Sequence, residues 1–130
     1  MQPKIADGTF VIKNSSEAEA LQDKAELTRE EMGKIIGQVT TNWDFNTAKN
    51  LAEANLTATA AEDKGDVFIL APNDGTARAI ADAFAADADV ASYVVTGQDA
   101  EIASVQYIID GKQSMTVLKD VRTLVGDAIS

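Results

Sequence analysis

Val67-Phe68-Ile69-Leu70-Ala71 is an unbroken apolar run, set between Lys64-Gly65-Asp66 and Pro72-Asn73-Asp74-Gly75. A half-exposed strand alternates apolar and polar residues. A continuous run is what a strand covered on both faces shows, and such strands belong to parallel sheets flanked by helices. The remainder of residues 43–130 has the matching texture, short β-branched runs alternating with Ala-rich stretches. The expected fold class is α/β, a parallel sheet covered by helices.

Three further strands are expected, at 9–13 after an Asp7-Gly8 turn, at 93–96 ending at Gly97, and at 114–118 after Gly111-Lys112. Helical spacing fills the gaps. Residues 47–61 carry Leu51, Ala54 and Ala58 with Asn46 or Thr47 as cap, and 76–86 set Ala77, Ile80, Ala81 and Phe84 on one stripe. Residues 100–110 align Ile102, Val105, Ile108 and Ile109, with Gly111 as the stop, and 121–130 form a last helix. The polar stretch 15–40 holds two capping-box patterns, Ser16…Glu19 and Thr28…Glu31, which predict short helices at 17–27 and 29–37. The plain reading of that stretch is a solvated excursion.

Charge and missing residue types narrow the function. The 130 residues hold 11 Lys and Arg against 21 Asp and Glu, a net charge of −10, which opposes binding to nucleic acid or to anionic membranes. With no His and no Cys, thiol chemistry, disulfides, zinc fingers and His-based catalysis are excluded. No apolar run approaches the roughly 20 residues of a membrane span. Met1-Gln2-Pro3-Lys4 lacks the basic-then-apolar pattern of a secretion signal. Nucleotide loops of the G-x-x-x-x-G-K-[ST] and G-x-G-x-x-G types are absent, and Glu62, Asp63 and Asp66 lack the spacing of a calcium loop.

In parallel sheets ligands gather where strand carboxyl ends meet helix amino ends. The loops expected there are Thr41-Asn42-Trp43-Asp44, Pro72-Asn73-Asp74-Gly75-Thr76, Gly97-Gln98-Asp99-Ala100 and Lys119-Asp120. Together they offer one aromatic face with amide, carboxylate and ammonium groups, the set that suits a neutral polyhydroxylated ligand. Each residue also has a purely structural reading. Trp43 would be core, Asp74 a helix cap beside Asn73, Asp99 the cap of the helix from Ala100, and Lys119 an exposed lysine.

At these loops the chain resembles the periplasmic sugar-binding proteins of ABC importers, of the xylose and multiple-monosaccharide type. The resemblance lies in Trp43-Asp44-Phe45-Asn46-Thr47-Ala48, in Ala71-Pro72-Asn73-Asp74-Gly75-Thr76-Ala77 and in Val95-Thr96-Gly97-Gln98-Asp99-Ala100. It continues through Gly111-Lys112-Gln113-Ser114-Met115-Thr116-Val117-Leu118-Lys119. It implies that Trp43 stacks on a pyranose ring, Asn73 meets ring hydroxyls, Asp99 accepts from them, and Lys119 donates near an interdomain hinge. It also implies an incomplete C-terminal lobe of a class I periplasmic binding protein. The expected division is 1–14 as a first strand region, 15–40 as the helical excursion, 41–119 as the sugar-binding core and 120–130 as a cut hinge helix.

The function expected from the resemblance is non-enzymatic monosaccharide binding, of xylose, glucose or a similar sugar, with no metal or organic cofactor. The full-length parent would be periplasmic or an extracytoplasmic lipoprotein working with an ABC permease, and the lobe alone would bind weakly or not at all. The strands at 9–13 and 67–71 would then close up directly, or a second copy would complete the sheet as a homodimer. Two other readings are the sensing core of a sugar-responsive repressor, which needs a DNA-binding segment and a less acidic surface, and a flavodoxin-like domain. The second needs a phosphate-binding or acidic loop after the first strand, where Asn14-Ser15-Ser16 stands.

Overall fold

The computed structural model of the chain describes residues 2–38 and 40–130, which fall into two units, Met1–Thr40 and Thr41–Ser130. The first unit holds α1 (Gln2–Ala6), α2 (Ser16–Ala20) and α3 (Arg29–Gly37). Helix α1 ends at Ala6; the turn after it passes through Gly8, where φ is +81°, and the Asp7 carboxylate accepts from the Thr9 amide and hydroxyl. Helix α2 is capped by Ser15 rather than Ser16 and stops at Ala20, well short of residue 27. The capping box at α3 forms as its pattern predicts, Thr28 and Glu31 each accepting from the other's backbone. Residues 9–13 form no strand, which corrects the expectation of one there.

The second unit holds α4 (Phe45–Ala58), α5 (Ala61–Lys64), β1 (Asp66–Ile69), α6 (Asp74–Ala85), β2 (Ser92–Val95), α7 (Ile102–Ile109) and α8 (Val121–Ile129). Strands β1 and β2 pair in parallel, Asp66 opposite Ser92 and Ile69 opposite Val95, with α6 as the crossover. The segment 114–118 is not a strand, but it runs beside β2. The Ser114 amide donates to Val95 O (3.1 Å) and the Asp99 amide to Val117 O (2.8 Å). The Ser114 hydroxyl accepts from the Val95 amide in place of a backbone carbonyl, so a regular ladder is interrupted.

Helix α6 is central. Ala83 and Phe84 pack with Ala52 and Leu56 of α4, while Ala77 and Ala81 pack with Ala71 and Val95. Alanines on both helices let the backbones approach closely, and Leu56 and Phe84 supply the bulk, at about 2–3 kcal/mol each. Within this unit the two faces of the β1 run differ. Val67 and Ile69 pack against these clusters, while Phe68 and Leu70 are 65% and 70% exposed. No helix among the described residues is long and apolar enough to cross a membrane.

The connections fix polarity. Helix α4 meets α6 near the carboxyl ends of both, where Leu56 touches the Ala83–Phe84 region, and Lys64 before β1 pairs with Asp87 after α6 at 2.7 Å. Helix α6 follows β1 directly, so its amino end lies at the carboxyl end of that strand.

Candidate functional site

Four segments carry the candidate residues. The first is the turn Thr41–Asp44, closed by the Asp44 amide on Thr41 O at 3.0 Å. Its central residues, Asn42 and Trp43, have φ of +51° and +59°. Asn tolerates this left-handed backbone through its own side chain, but a bulky residue does so at a cost of about 1–3 kcal/mol. Asp44 explains why the turn stops there. Its carboxylate accepts from the Thr47 amide at 2.7 Å and caps α4, the role expected of Asn46 or Thr47. That bond holds its carboxyl below the ordinary aspartate value. Trp43 is 67% exposed, so the core reading of this residue fails.

The second segment joins β1 to α6. Asn73, not Asp74, is the cap: Asn73 Oδ1 accepts from the Thr76 amide at 3.2 Å and from its hydroxyl at 2.6 Å. Its Nδ2 has no hydrogen-bond acceptor among the described residues. Asp74 is fully buried. Its amide donates to Gln98 O (2.8 Å), and its carboxylate accepts from the Glu101 amide (2.8 Å), Gln113 Nε2 (3.1 Å) and Thr116 Oγ1 (2.7 Å).

The third segment is 96–101. Asp99 and Ala100 have φ of +110° and +54°, and α7 begins only at Ile102 with Glu101 as its cap residue, so Asp99 is not a helix cap. A β-carbon on Gly97 would overlap the Asp74 carboxylate and lie 2.5 Å from Gln113 Nε2, which leaves room for glycine alone. Arg78 of α6 reaches Glu101 Oε2 (2.6 Å) and the buried Ser104 hydroxyl (2.9 Å) and so pins the start of α7.

The fourth segment is 114–119. It ends at Lys119, whose Nζ lies 3.0 Å from Asp99 Oδ1; both side chains reach solvent, at 51% and 31% exposure. Of the four candidates, Asp99 and Lys119 are therefore in direct contact. Asn73 joins them through the Asp74–Gln98 bond, which lies one residue from Asn73 and one from Asp99. Trp43 stands two residues before the first residue of α4, and no hydrogen bond or ring contact ties it to the other three among the described residues.

Gln113 and Thr116 were outside the candidates read from the sequence, and Asp74 was read there as a helix cap, a role that Asn73 holds instead. One signal existed: two capping-type residues in tandem, Asn73-Asp74, serve a helix that needs one, so the second is spare. Nothing in the pattern of Gln113 and Thr116 marks them. The Gln113 side chain is 2% exposed, and its Oε1 lacks a partner among the described residues. No group of three or more ligating side chains suited to a metal ion occurs among the described residues.

The chain matches the family described as periplasmic binding protein domain over residues 7–130. It is 33% identical over 97 residues to the D-xylose-binding periplasmic protein of Haemophilus influenzae. It is likewise 33% identical over 96 residues to the protein of that name from Escherichia coli. Each alignment takes in 73% of this chain and 28% of the relative. A crystal structure of a carbohydrate transporter solute binding protein from Chloroflexus aurantiacus, in complex with D-glucose, is 85% identical with a TM-score of 0.89. That match covers 98% of this chain and 38% of the other. The chain thus spans well under half the length of these relatives, which are named as binding proteins and not as enzymes.

Proposed function

Because the chain belongs to the periplasmic binding protein domain family, we propose that it is the monosaccharide-binding lobe of a receptor serving a sugar importer. The observation that carries this reading is the solvent-facing Asp99–Lys119 pair, set one hydrogen-bonded loop away from the free amide of Asn73. The two charges cancel locally. A charged ligand would pair with one of them and strand the other, whereas sugar hydroxyls can donate to the carboxylate and accept from the ammonium together. Asn73 Nδ2 adds a donor, and the exposed indole of Trp43 offers a flat face for the C–H side of a pyranose ring.

The relatives' named ligands, D-xylose and D-glucose, fit this chemistry. In this reading the full protein works outside the cytoplasm and hands its sugar to a permease. The contacts named here come from one side of the ligand, so affinity is modest, with Kd about 1 mM, near −4 kcal/mol.

The test is a titration of 15N-labelled protein with D-glucose and with D-xylose. Saturable shifts are expected at Asn73, Asp99 and Lys119 and at the Trp43 indole. Shifts confined to other residues, or none with either sugar at 100-fold excess over that Kd, overturn the reading.

A further inference from the structure

We infer that Asp74, which lies outside the proposed sugar contacts, is the positioning residue that aims Asp99 at Lys119. Its link to sugar binding rests on the function proposed above. Asn73 already caps α6, so the Asp74 carboxylate is not needed for that purpose. It is nevertheless fully buried, and no ion pair includes it among the described residues. A buried carboxylate without a cation must be held by dipoles. Here these are the amino end of α6 and three donors, Glu101 N–H, Gln113 Nε2 and Thr116 Oγ1.

Two of the three donors belong to the segments that carry the ion pair, and Gln113 immediately precedes the second of them. Glu101 stands two residues after Asp99, and Thr116 three residues before Lys119. The Thr116 hydroxyl, while donating to Asp74, accepts from the Ala100 amide at 3.2 Å. The two amides that follow Asp99 are thus both governed by Asp74, one directly and one through Thr116. The backbone between them and Gly97 has positive φ at Asp99 and Ala100, a conformation that side-chain-bearing residues keep only when their surroundings impose it. Asp74 imposes it. The same carboxylate also fills the space in which a Gly97 β-carbon would stand, so the loop and its brace are fitted to each other.

The experiment is a double-mutant cycle on the intact chain, with Asp74→Asn and Lys119→Met, read by NMR with and without D-glucose. An amide in place of the carboxylate turns one oxygen into a donor facing another donor. Exchange of the Glu101 amide is expected to rise about 100-fold, while the amides of β1 and β2 keep their protection. Without sugar, Lys119→Met is expected to move the Asp99 carboxyl-carbon resonance in the wild-type background and not in Asp74→Asn. With glucose, the roughly tenfold weakening caused by Lys119→Met is expected to vanish in that background. A Lys119→Met effect on the Asp99 resonance of equal size in both backgrounds overturns the inference and leaves Asp74 a folding residue. If Asp74→Asn does not fold, Thr116→Val takes its place in the same cycle. It removes the Ala100 link but keeps two of the three donors, so the Asp99 response should shrink by about half, and an undiminished response again overturns the claim. A wild-type chain that ignores glucose rejects the proposed function alone, because the Asp99 resonance reports positioning without sugar.

Discussion

Before β1 and before the segment 114–119, at their amino ends, the chain makes its left-handed turns at glycine, Gly65 and Gly111. Ahead of α4 and α7 it makes them at Asn42, Trp43, Asp99 and Ala100. Glycine adopts this backbone at no steric cost, and at Gly111 it closes α7 in a Schellman motif, with Gly111 N to Ile108 O and Lys112 N to Tyr107 O. The polar groups at the amino ends satisfy one another. Lys64 meets Asp87 and Asp89, and Ser92 meets Asp66. Ahead of the two helices, strained backbone is kept where glycine would relieve it, and side chains with spare hydrogen-bonding capacity are turned outward. The first set of turns is therefore arranged for stability and the second for presentation. Strain of this kind collects where side-chain placement matters more than local energy.

Three substitutions probe that contrast, in order of their expected effect on stability. Gly97→Ala drives a methyl into the Asp74 carboxylate and should cost about 3 kcal/mol in urea unfolding; a loss under 1 kcal/mol would mean that the carboxyl-end brace is loose. Lys64→Met removes the cation from Asp87 at the amino end and should lower stability by less than Gly97→Ala does, while leaving glucose shifts unchanged. The pair has a pH signature. Lys64 holds the Asp87 carboxyl below its ordinary value of 3.8, so the stabilisation is complete above that pH and fades as pH falls through the depressed folded value. In thermal melts the gap between wild type and Lys64→Met should narrow below pH 4, and a gap that widens there would contradict the assignment. Trp43→Asn replaces a strained residue by one that tolerates positive φ. It should raise stability by up to about 1 kcal/mol while weakening the sugar response, opposite signs that would mark the indole as placed for binding.

Much of this arrangement was legible from residue pattern. The run at 67–71 marked β1, helical spacing marked α4, α6 and α7, and Gly111 marked the end of α7. The failures share a cause, since each depends on which group reaches a position first. β-branched residues at 9–13 and 114–118 suit a strand, but in the second segment the Ser114 hydroxyl takes a ladder bond. Asp44 and Asn73 outcompeted adjacent residues as caps by geometry that composition does not encode. Trp43 was ambiguous because exposure depends on a two-residue turn, and Asp74 was misread because its partners lie 27 to 42 positions away in sequence.

The placement of Trp43 has a practical consequence. It is the chain's single tryptophan, and it stands in solvent beside the amino end of α4. Emission excited at long ultraviolet wavelength therefore comes from one spot, a residue proposed above to meet the sugar. The unlabelled protein carries its own optical gauge, able to follow ligand arrival there in a cuvette on a millisecond mixing timescale.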